Sequence, residues 1–520
     1  MSNMPQSGPT QAGFTLDVLR RHPDRTAFSW DGGALTYAGA SDLIGRMQTV
    51  FAAHGLRRGD CVAILSGNRV DSWCASIAAQ AGGMAITWVL YFASLEDQEH
   101  QLRDAGVDVL IVDANRGERG GELASRLDHL SKVFTLGPLD FGVDLIASAR
   151  KAGAASPLCI AAPGDVASIS YTGGTTGYPK GTVRRNSPLS TQAYAALLAD
   201  FEIPNNPRFL LTGPISHLWG LKIVPTLLRG GSVHVIDSTS PDQIIAAIER
   251  EKSNFALMVP STITALLDAL GGRKSDLSSL ELLLYGGASI APEQLREGIG
   301  RVGPVFAQLY GQTECYPISY LRSGDHNPDR PELLTSCGQP SIGTAVAILD
   351  GDGVECAVGE VGEICVRSPM VMDSYKNLPE LTKEVFRYDW LHTGDVGRMD
   401  EQGYLYLMDR LKDMIITNVG QNIYSRGVER VLTDHAEVAQ AVVFGTPDEE
   451  TGEAVNAAII RSRGATVSAL DLREYVRSRK GDVLVPHHVY FVDELPLTSL
   501  GKVDKQALRT RLSGNQVSDK

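Results

Sequence analysis

Short apolar runs alternate with helical stretches through the first two thirds of this chain, and that alternation limits its fold more than any other feature. Asp60–Leu65 reads as a buried strand, and Val70–Ala81 follows as a helix that Gly82 and Gly83 bring to a stop. Val107–Val112, Arg208–Thr212, Ser232–Ile236, Phe255–Val259, Leu280–Tyr285 and Val305–Gln308 repeat the strand theme. Helices are expected over Phe14–Arg21, Ala38–His54, Trp219–Leu228 and Ser240–Glu251, and a hairpin around Asp31–Gly33. Strands spaced by helices need crossover connections, so the expected class is α/β, with parallel or mixed sheets covered by helices.

Beyond Gly338 the texture changes. Thr344–Leu349, Glu360–Val366 and Gly403–Met408 are strand-like and separated by Gly and Asp turns, which implies a small, mostly antiparallel unit. Asp350–Gly353 lacks the later ligands of a calcium loop and reads as a hairpin turn. From about Asp413 a smaller α+β unit follows, with strands over Ala441–Phe444 and Ala454–Ile460 and helices over Ser468–Lys480 and Lys505–Arg511. The expected organisation is a disordered tail over 1–13, a large N-terminal domain over 14–411, a C-terminal domain over 412–512 and a tail over 513–520.

The run Ser168–Gly181 carries the strongest chemical signal. Ala167, Ile169 and Tyr171 alternate with polar neighbours as a strand would. Thr172, Gly173, Gly174, Thr175, Thr176 and Gly177 then form a glycine-rich loop that can aim several N–H groups and hydroxyls at one anion, and Lys180 adds a full positive charge. Nucleotide phosphate suits such a loop. It is not a Walker A loop, which needs Gly directly before the Lys and Ser or Thr directly after it; here Pro179 and Gly181 flank Lys180.

Composition narrows the partners. With 48 Lys+Arg against 61 Asp+Glu the formal charge is −13, so no basic surface for nucleic acid is expected. Seven cysteines lie without paired short spacing, which fits reduced thiols in a cytoplasmic protein rather than a zinc or disulfide framework. The first thirteen residues lack the basic start and apolar core of a signal peptide, and no run has the length of a membrane helix.

The glycine loop and the motifs after it resemble those of the adenylate-forming superfamily, which holds acyl- and aryl-CoA synthetases, luciferases and the adenylation domains of peptide synthetases. His217, Tyr310–Glu314, Thr393–Asp395, Asp409–Lys412 and Gly501-Lys502 occur in that family's order, and the resemblance runs from about Leu35 to Leu508. It implies an ATP-dependent, AMP-forming ligase using Mg2+, with a carboxylic acid as substrate and coenzyme A as co-substrate. By resemblance, Thr172–Thr176 and Lys180 hold the phosphates; Gly287, Ala288 and Ser289 border adenine; Tyr310 stacks on it, with Gln312 beside it. Thr313 reaches the α-phosphate, and Glu314 offers the hard oxygen that magnesium prefers. Asp395 and Arg410 hold the ribose, Lys412 is the hinge of a mobile lid, and Lys502 bridges carboxylate and α-phosphate.

His217 and Trp219 match the motif bordering the carboxylate pocket, which Gly287 also edges. Lys222 sits three residues after Trp219 and so can share its helix face. If that face lines the pocket, Lys222 suits a polar or anionic substrate tail; a solvated lysine is the alternative. The family pattern breaks at Thr417–Ile423, about one residue longer than usual, with Val419 before Gly420 where two glycines are common. Ser425, Gly427 and Thr182–Asn186 also depart from it. Gly420 belongs to the segment serving the second half-reaction. The acceptor is therefore coenzyme A, or alternatively a carrier-protein thiol, an amine or nitrite. A non-catalytic nucleotide-binding relative is the remaining alternative.

Overall fold

The computed structural model describes residues 9–172, 179–237, 240–271, 275–288, 290–416, 422–448, 451–497 and 503–513. The expected α/β class is observed. Contacts divide the chain into two compact units, one gathering Met1–Thr172, Tyr178–Ala345 and Arg367–Glu384, the other built chiefly from Val346–Val366 and Val385–Lys520. The antiparallel strands beyond Gly338 thus group with the C-terminal residues.

The first unit holds two large sheets, of eight and nine strands. At the centre of the eight-stranded sheet Cys61–Leu65 pairs in parallel with both Ala85–Val89 and Val109–Asp113, and every residue of Cys61–Leu65 is buried. A strand covered on both faces has no polar side, which is why it reads as a continuous apolar run. In the nine-stranded sheet Arg208–Leu211, Phe255–Met258, Leu282–Gly286 and Phe306–Gln312 are parallel neighbours, followed by antiparallel Cys315–Leu321 and, at the edge, Gln339–Pro340. A core containing Phe28, Tyr37, Phe51, Phe134 and Phe209 fills the space beside these sheets.

Several expected boundaries shift. The first helix begins at Gln11, because the Thr10 hydroxyl accepts the Gly13 N–H and caps it, so residues 11–13 are helical. The helix expected over Trp219–Leu228 opens with a 3-10 turn at Gly220–Lys222 and becomes α-helical over Ile223–Leu228. The expected hairpin turn at Asp350–Gly353 is present: Asp350 accepts the Asp352 and Val354 N–H groups.

The second unit contains the antiparallel strands Ala345–Leu349, Gly362–Arg367, Leu391–Met399 and Leu405–Arg410 in one sheet. A three-stranded sheet pairs Val438–Asp448 with Gly452–Arg461, and the latter with His488–Phe491. The helix Ala469–Lys480 is closed at its start by a capping box between Ser468 and Asp471.

Candidate active site

In open α/β sheets ligands gather where parallel strands end at their carboxyl edges. In the first unit Gly287 and Tyr310 lie at such an edge. The register pairs Gly286 with Leu309, so the loop starting at Gly287 and the residue Tyr310 leave the sheet at the same level. A Cβ at Gly286 would stand 2.5 Å from the Leu309 carbonyl oxygen, so glycine allows the two strands to close there. Gly287 adopts φ +83°, and both it and Ala288 are exposed. Ser289 lies outside the described residues.

Tyr310–Glu314 is not a strand-to-helix connection. Gln312 pairs with Cys315 across an antiparallel hairpin, which makes Thr313 and Glu314 its two turn residues and projects both side chains from the sheet edge. The turn is anchored from below. Arg184 Nη2 donates to the Thr313 carbonyl oxygen at 2.7 Å, and its Nη1 donates to the Met370 carbonyl. Burial lowers the pKa of this guanidinium, with Cys315, Glu314 and Asp373 opposing. Glu314 is held by the Tyr375 hydroxyl, which donates to its Oε1 at 2.6 Å, and by its carbonyl, which accepts the Met372 N–H at 2.7 Å. The carboxylate is thereby fixed in orientation.

Lys180 stands with its ammonium 5.6 Å from the Tyr375 ring centroid, so the base of the glycine loop and Glu314 share one tyrosine. The loop's two ends are tied by the Thr172 N–H donating to the Lys180 carbonyl at 3.0 Å. Gly173, Gly174, Thr175 and Thr176 lie outside the described residues. Arg184 and Tyr375 escaped sequence reasoning. The break from the family pattern at Thr182–Asn186 pointed at Arg184, but nothing near Tyr375 in the chain pointed at Glu314.

The segment after Arg208–Leu211 places His217, Trp219 and Lys222. Gly220 is required there, because a Cβ would come within 1.9 Å of the Ile215 carbonyl oxygen. Trp219 turns its indole N–H to the Leu257 carbonyl at 2.7 Å and lays its ring over Gly213, where a Cβ would come within 2.3 Å. The ring anchors the loop as well as walling it. His217 Nδ1 is 2.7 Å from the Ser216 hydroxyl, and burial pushes the imidazole down to about 4. At neutral pH it is therefore uncharged. Lys222 is 1% exposed. Its Nζ donates to the Tyr316 hydroxyl at 2.8 Å and lies 4.7 Å from the Phe201 ring centroid. The solvated alternative for Lys222 is thus corrected: the helix face of Trp219 turns inward. Burial pushes its ammonium down to about 7.

In the second unit the register sets Asp395 opposite Arg410, and Arg410 Nε lies 3.0 Å from Asp395 Oδ1. Thr393–Asp395 lies inside the strand Leu391–Met399, not at the end of a hairpin. Asp395 is buried while Arg410 is partly exposed, so the pair offers an oriented carboxylate beneath an accessible guanidinium. Lys412 is exposed in the turn Leu411–Asp413 directly after that strand pair. Gly420 and Lys502 lie outside the described residues.

The AMP-binding enzyme family model matches residues 16–376, and the AMP-binding enzyme C-terminal domain matches residues 427–502. The chain is 40% identical to the medium/long-chain-fatty-acid–CoA ligase FadD8 of Mycobacterium tuberculosis, over 97% of this chain and 90% of that protein. It is 33% identical to a feruloyl-CoA synthase of Amycolatopsis sp, over 95% of this chain and 97% of that protein. The structure of the amide bond synthetase McbA from Marinactinospora thermotolerans superposes with a TM-score of 0.88 at 34% identity, covering 97% of this chain and all (100%) of that one.

Proposed function

The chain belongs to the AMP-binding enzyme family, and from that premise we propose how its residues divide the work of an ATP-dependent, AMP-forming acid–thiol ligase. A carboxylate oxygen attacks the α-phosphorus of ATP, the α–β anhydride bond breaks, and pyrophosphate leaves with its electron pair. The thiol of coenzyme A then attacks the acyl carbon, and AMP departs. The observation that carries the reading is the Thr313–Glu314 turn, fixed by Arg184 and Tyr375 beside Lys180.

Tyr310 lies under adenine, with Gly287 and Ala288 at its edge, and Gln312 beside it. Lys180, Thr172 and the loop between them receive the β- and γ-phosphates. Thr313 donates to the α-phosphate. Asp395 accepts the ribose hydroxyls, and Arg410 holds that carboxylate. The neutral His217 imidazole can hydrogen-bond the acid without competing for charge. In-line displacement of this kind needs positioning and charge neutralisation more than covalent catalysis.

Glu314 fits a magnesium ion: it is a hard oxygen donor with one oxygen held by Tyr375 and the other unengaged by it. When bound, the ion would neutralise charge on the phosphates. Lys502 supplies an ammonium to the bond being made, and rotation about Lys412 withdraws it for the second step. Gly420 lies in the segment serving that second step.

Pyrophosphate exchange over a panel of aliphatic and aryl acids tests the first half, and the Lys502→Ala variant should lower exchange by orders of magnitude. Unchanged exchange in that variant would refute the assignment of Lys502. The likeness to McbA favours one second reading, in which an amine takes the place of the thiol. Exchange-competent acids that yield amide with added amine but no thioester with coenzyme A would establish it.

A further inference from the structure

A buried ammonium must be paired, neutralised or reserved. Lys222 has no carboxylate within ion-pair distance among the described residues; its single hydrogen bond there is to the Tyr316 hydroxyl at 2.8 Å. That bond uses one N–H of three and makes the tyrosine oxygen the acceptor, so the Tyr316 O–H is left to donate elsewhere. No described group takes it. The remaining faces of the ammonium are aromatic: Phe201 at 4.7 Å and Tyr316 at 4.9 Å from the ring centroids. Tyr194 and Tyr320 stand close enough to Tyr316 to raise its pKa further, behind the dominant effect of burial. Tyr320 is engaged by Glu202, which accepts its hydroxyl at 3.0 Å; the Tyr194 hydroxyl has no such partner among the described residues.

These groups share one core with the residues around Trp219. Tyr194, Tyr316, Leu218 and Trp219 all pack on the main core yet keep accessible surface, as does His217, whose imidazole is otherwise ringed by protein. Lys222 is withdrawn further from solvent than these, at 1% exposed. Around the Lys222 ammonium the described residues leave donors in surplus: two N–H groups of Lys222 and the hydroxyl of Tyr316, with uncharged tyrosine oxygens as the nearby acceptors. An apolar acyl end placed there would leave each of them unpaired, at a cost of about 1–3 kcal/mol per group. A carboxylate is acceptor-only and can satisfy them together.

We propose that Lys222, with Tyr316, is the specificity-determining pair for the far end of the acid, and that the preferred substrate carries a second, distal carboxylate. The proposal rests on the reading of this chain as an acid-activating ligase, and on His217 marking the end at which activation occurs. The bound anion completes the ammonium's hydrogen bonding and supplies the counter-charge that the protein withholds.

The test compares matched pairs of acids, octanoate with suberate and cinnamate with 4-carboxycinnamate, in pyrophosphate exchange and in calorimetric binding. The proteins are wild type, Lys222→Met and Tyr316→Phe, each checked for folding by circular dichroism. Wild type should favour the diacid of at least one pair about tenfold or more in kcat/KM, and Lys222→Met should abolish that ratio. Tyr316→Phe should reduce the ratio and leave it above one. A ratio unchanged in Lys222→Met, or a wild-type preference for both monoacids, overturns the proposal. Equal use of the neutral monoamide of suberate overturns the anionic requirement. Absence of exchange with every acid would refute the ligase reading instead, and the calorimetric ratio would still decide the role of Lys222.

Discussion

Replacing Lys222 with Met should stabilise the protein without ligand, and the gain should depend on pH in a defined way. Burial lowers the Lys222 ammonium from its ordinary 10.5 to about 7. At about 1.4 kcal/mol per tenfold, that gap sets a burial penalty on the order of 5 kcal/mol. Met has a similar length and no charge, and its substitution forfeits the bond to Tyr316, about 1 kcal/mol. The net gain is then about 4 kcal/mol where the penalty is complete. The folded pKa lies below the unfolded one, so between about pH 7 and 10.5 the unfolded chain binds the extra proton. Wild-type stability therefore rises with pH through that window, and the penalty is full only below it.

The advantage of Lys222→Met should be greatest at pH 6.5 and shrink by about 1.4 kcal/mol for each pH unit between about 7.5 and 9.5. The groups facing Lys222 do not titrate in that range: Tyr316, Tyr194 and Tyr320 all have their phenols pushed up by burial, and Phe201 carries no charge. Urea unfolding followed by tryptophan fluorescence reads chiefly the right unit, since Trp30, Trp73, Trp88 and Trp219 belong to it and only Trp390 to the other. A gap that stays constant from pH 6.5 to 9.5, or a variant less stable than wild type at pH 6.5, would refute the reasoning.

Three further substitutions probe the frame of the site. Arg184→Met removes charged donors from the Thr313 and Met370 carbonyls, so exchange should fall about 10- to 100-fold as the turn loses its anchor, and Arg184→Lys should recover only part of it. Full activity in Arg184→Met would show that the turn holds itself. Tyr375→Phe frees Glu314 Oε1 and should raise the magnesium concentration for half-maximal exchange about tenfold, whereas an unchanged magnesium titration would remove Tyr375 from the site. Gly213→Ala drives a Cβ into the Trp219 ring, 2.3 Å away, and should cost about 1–3 kcal/mol in urea unfolding while blue- or red-shifting the fluorescence of a displaced indole.

How much of this was legible in the chain depends on the range of the interactions involved. Cys61–Leu65 and Val70–Ala81 were readable to within a residue because burial on both faces of a strand, or around nearly a whole helix, writes a continuous apolar run that Gly82 and Gly83 then end. Ala85–Val89 and Cys315–Leu321 went unread: the first follows a helix too closely to show its own period, and the second is interrupted by Pro317. The same division runs through the site. Tyr310–Glu314 and Lys180 announced themselves as motifs, yet the hairpin that makes Thr313 and Glu314 neighbours at a turn needs Gln312 to find Cys315. The partners Arg184 and Tyr375 lie 129 and 61 residues from the groups they hold, a separation that no local window spans. Lys222 was placed on the right face by its spacing from Trp219, but its burial depends on Phe201 and Tyr316, which arrive from elsewhere in the chain.

Arg184 and Lys222 show what the first unit does with interior cations. Both are driven towards the neutral form by burial, and neither has a carboxylate as its hydrogen-bond partner. Arg184 nevertheless meets two backbone carbonyls that its planar fork can span, so two of its N–H donors hold a turn; guanidinium also tolerates partial dehydration better than ammonium. Lys222 meets one hydroxyl and two aromatic faces, which soften the loss of water without using up its N–H groups. If structure alone were at stake, a methionine would fill the same space at lower cost. A substitution that stabilises the fold while removing acid preference is the stability–function trade-off expected of a residue retained for a ligand. The sign of the Lys222→Met effect on stability and its effect on acid preference should therefore be opposite, and finding both in the same direction would separate the residue from the substrate altogether.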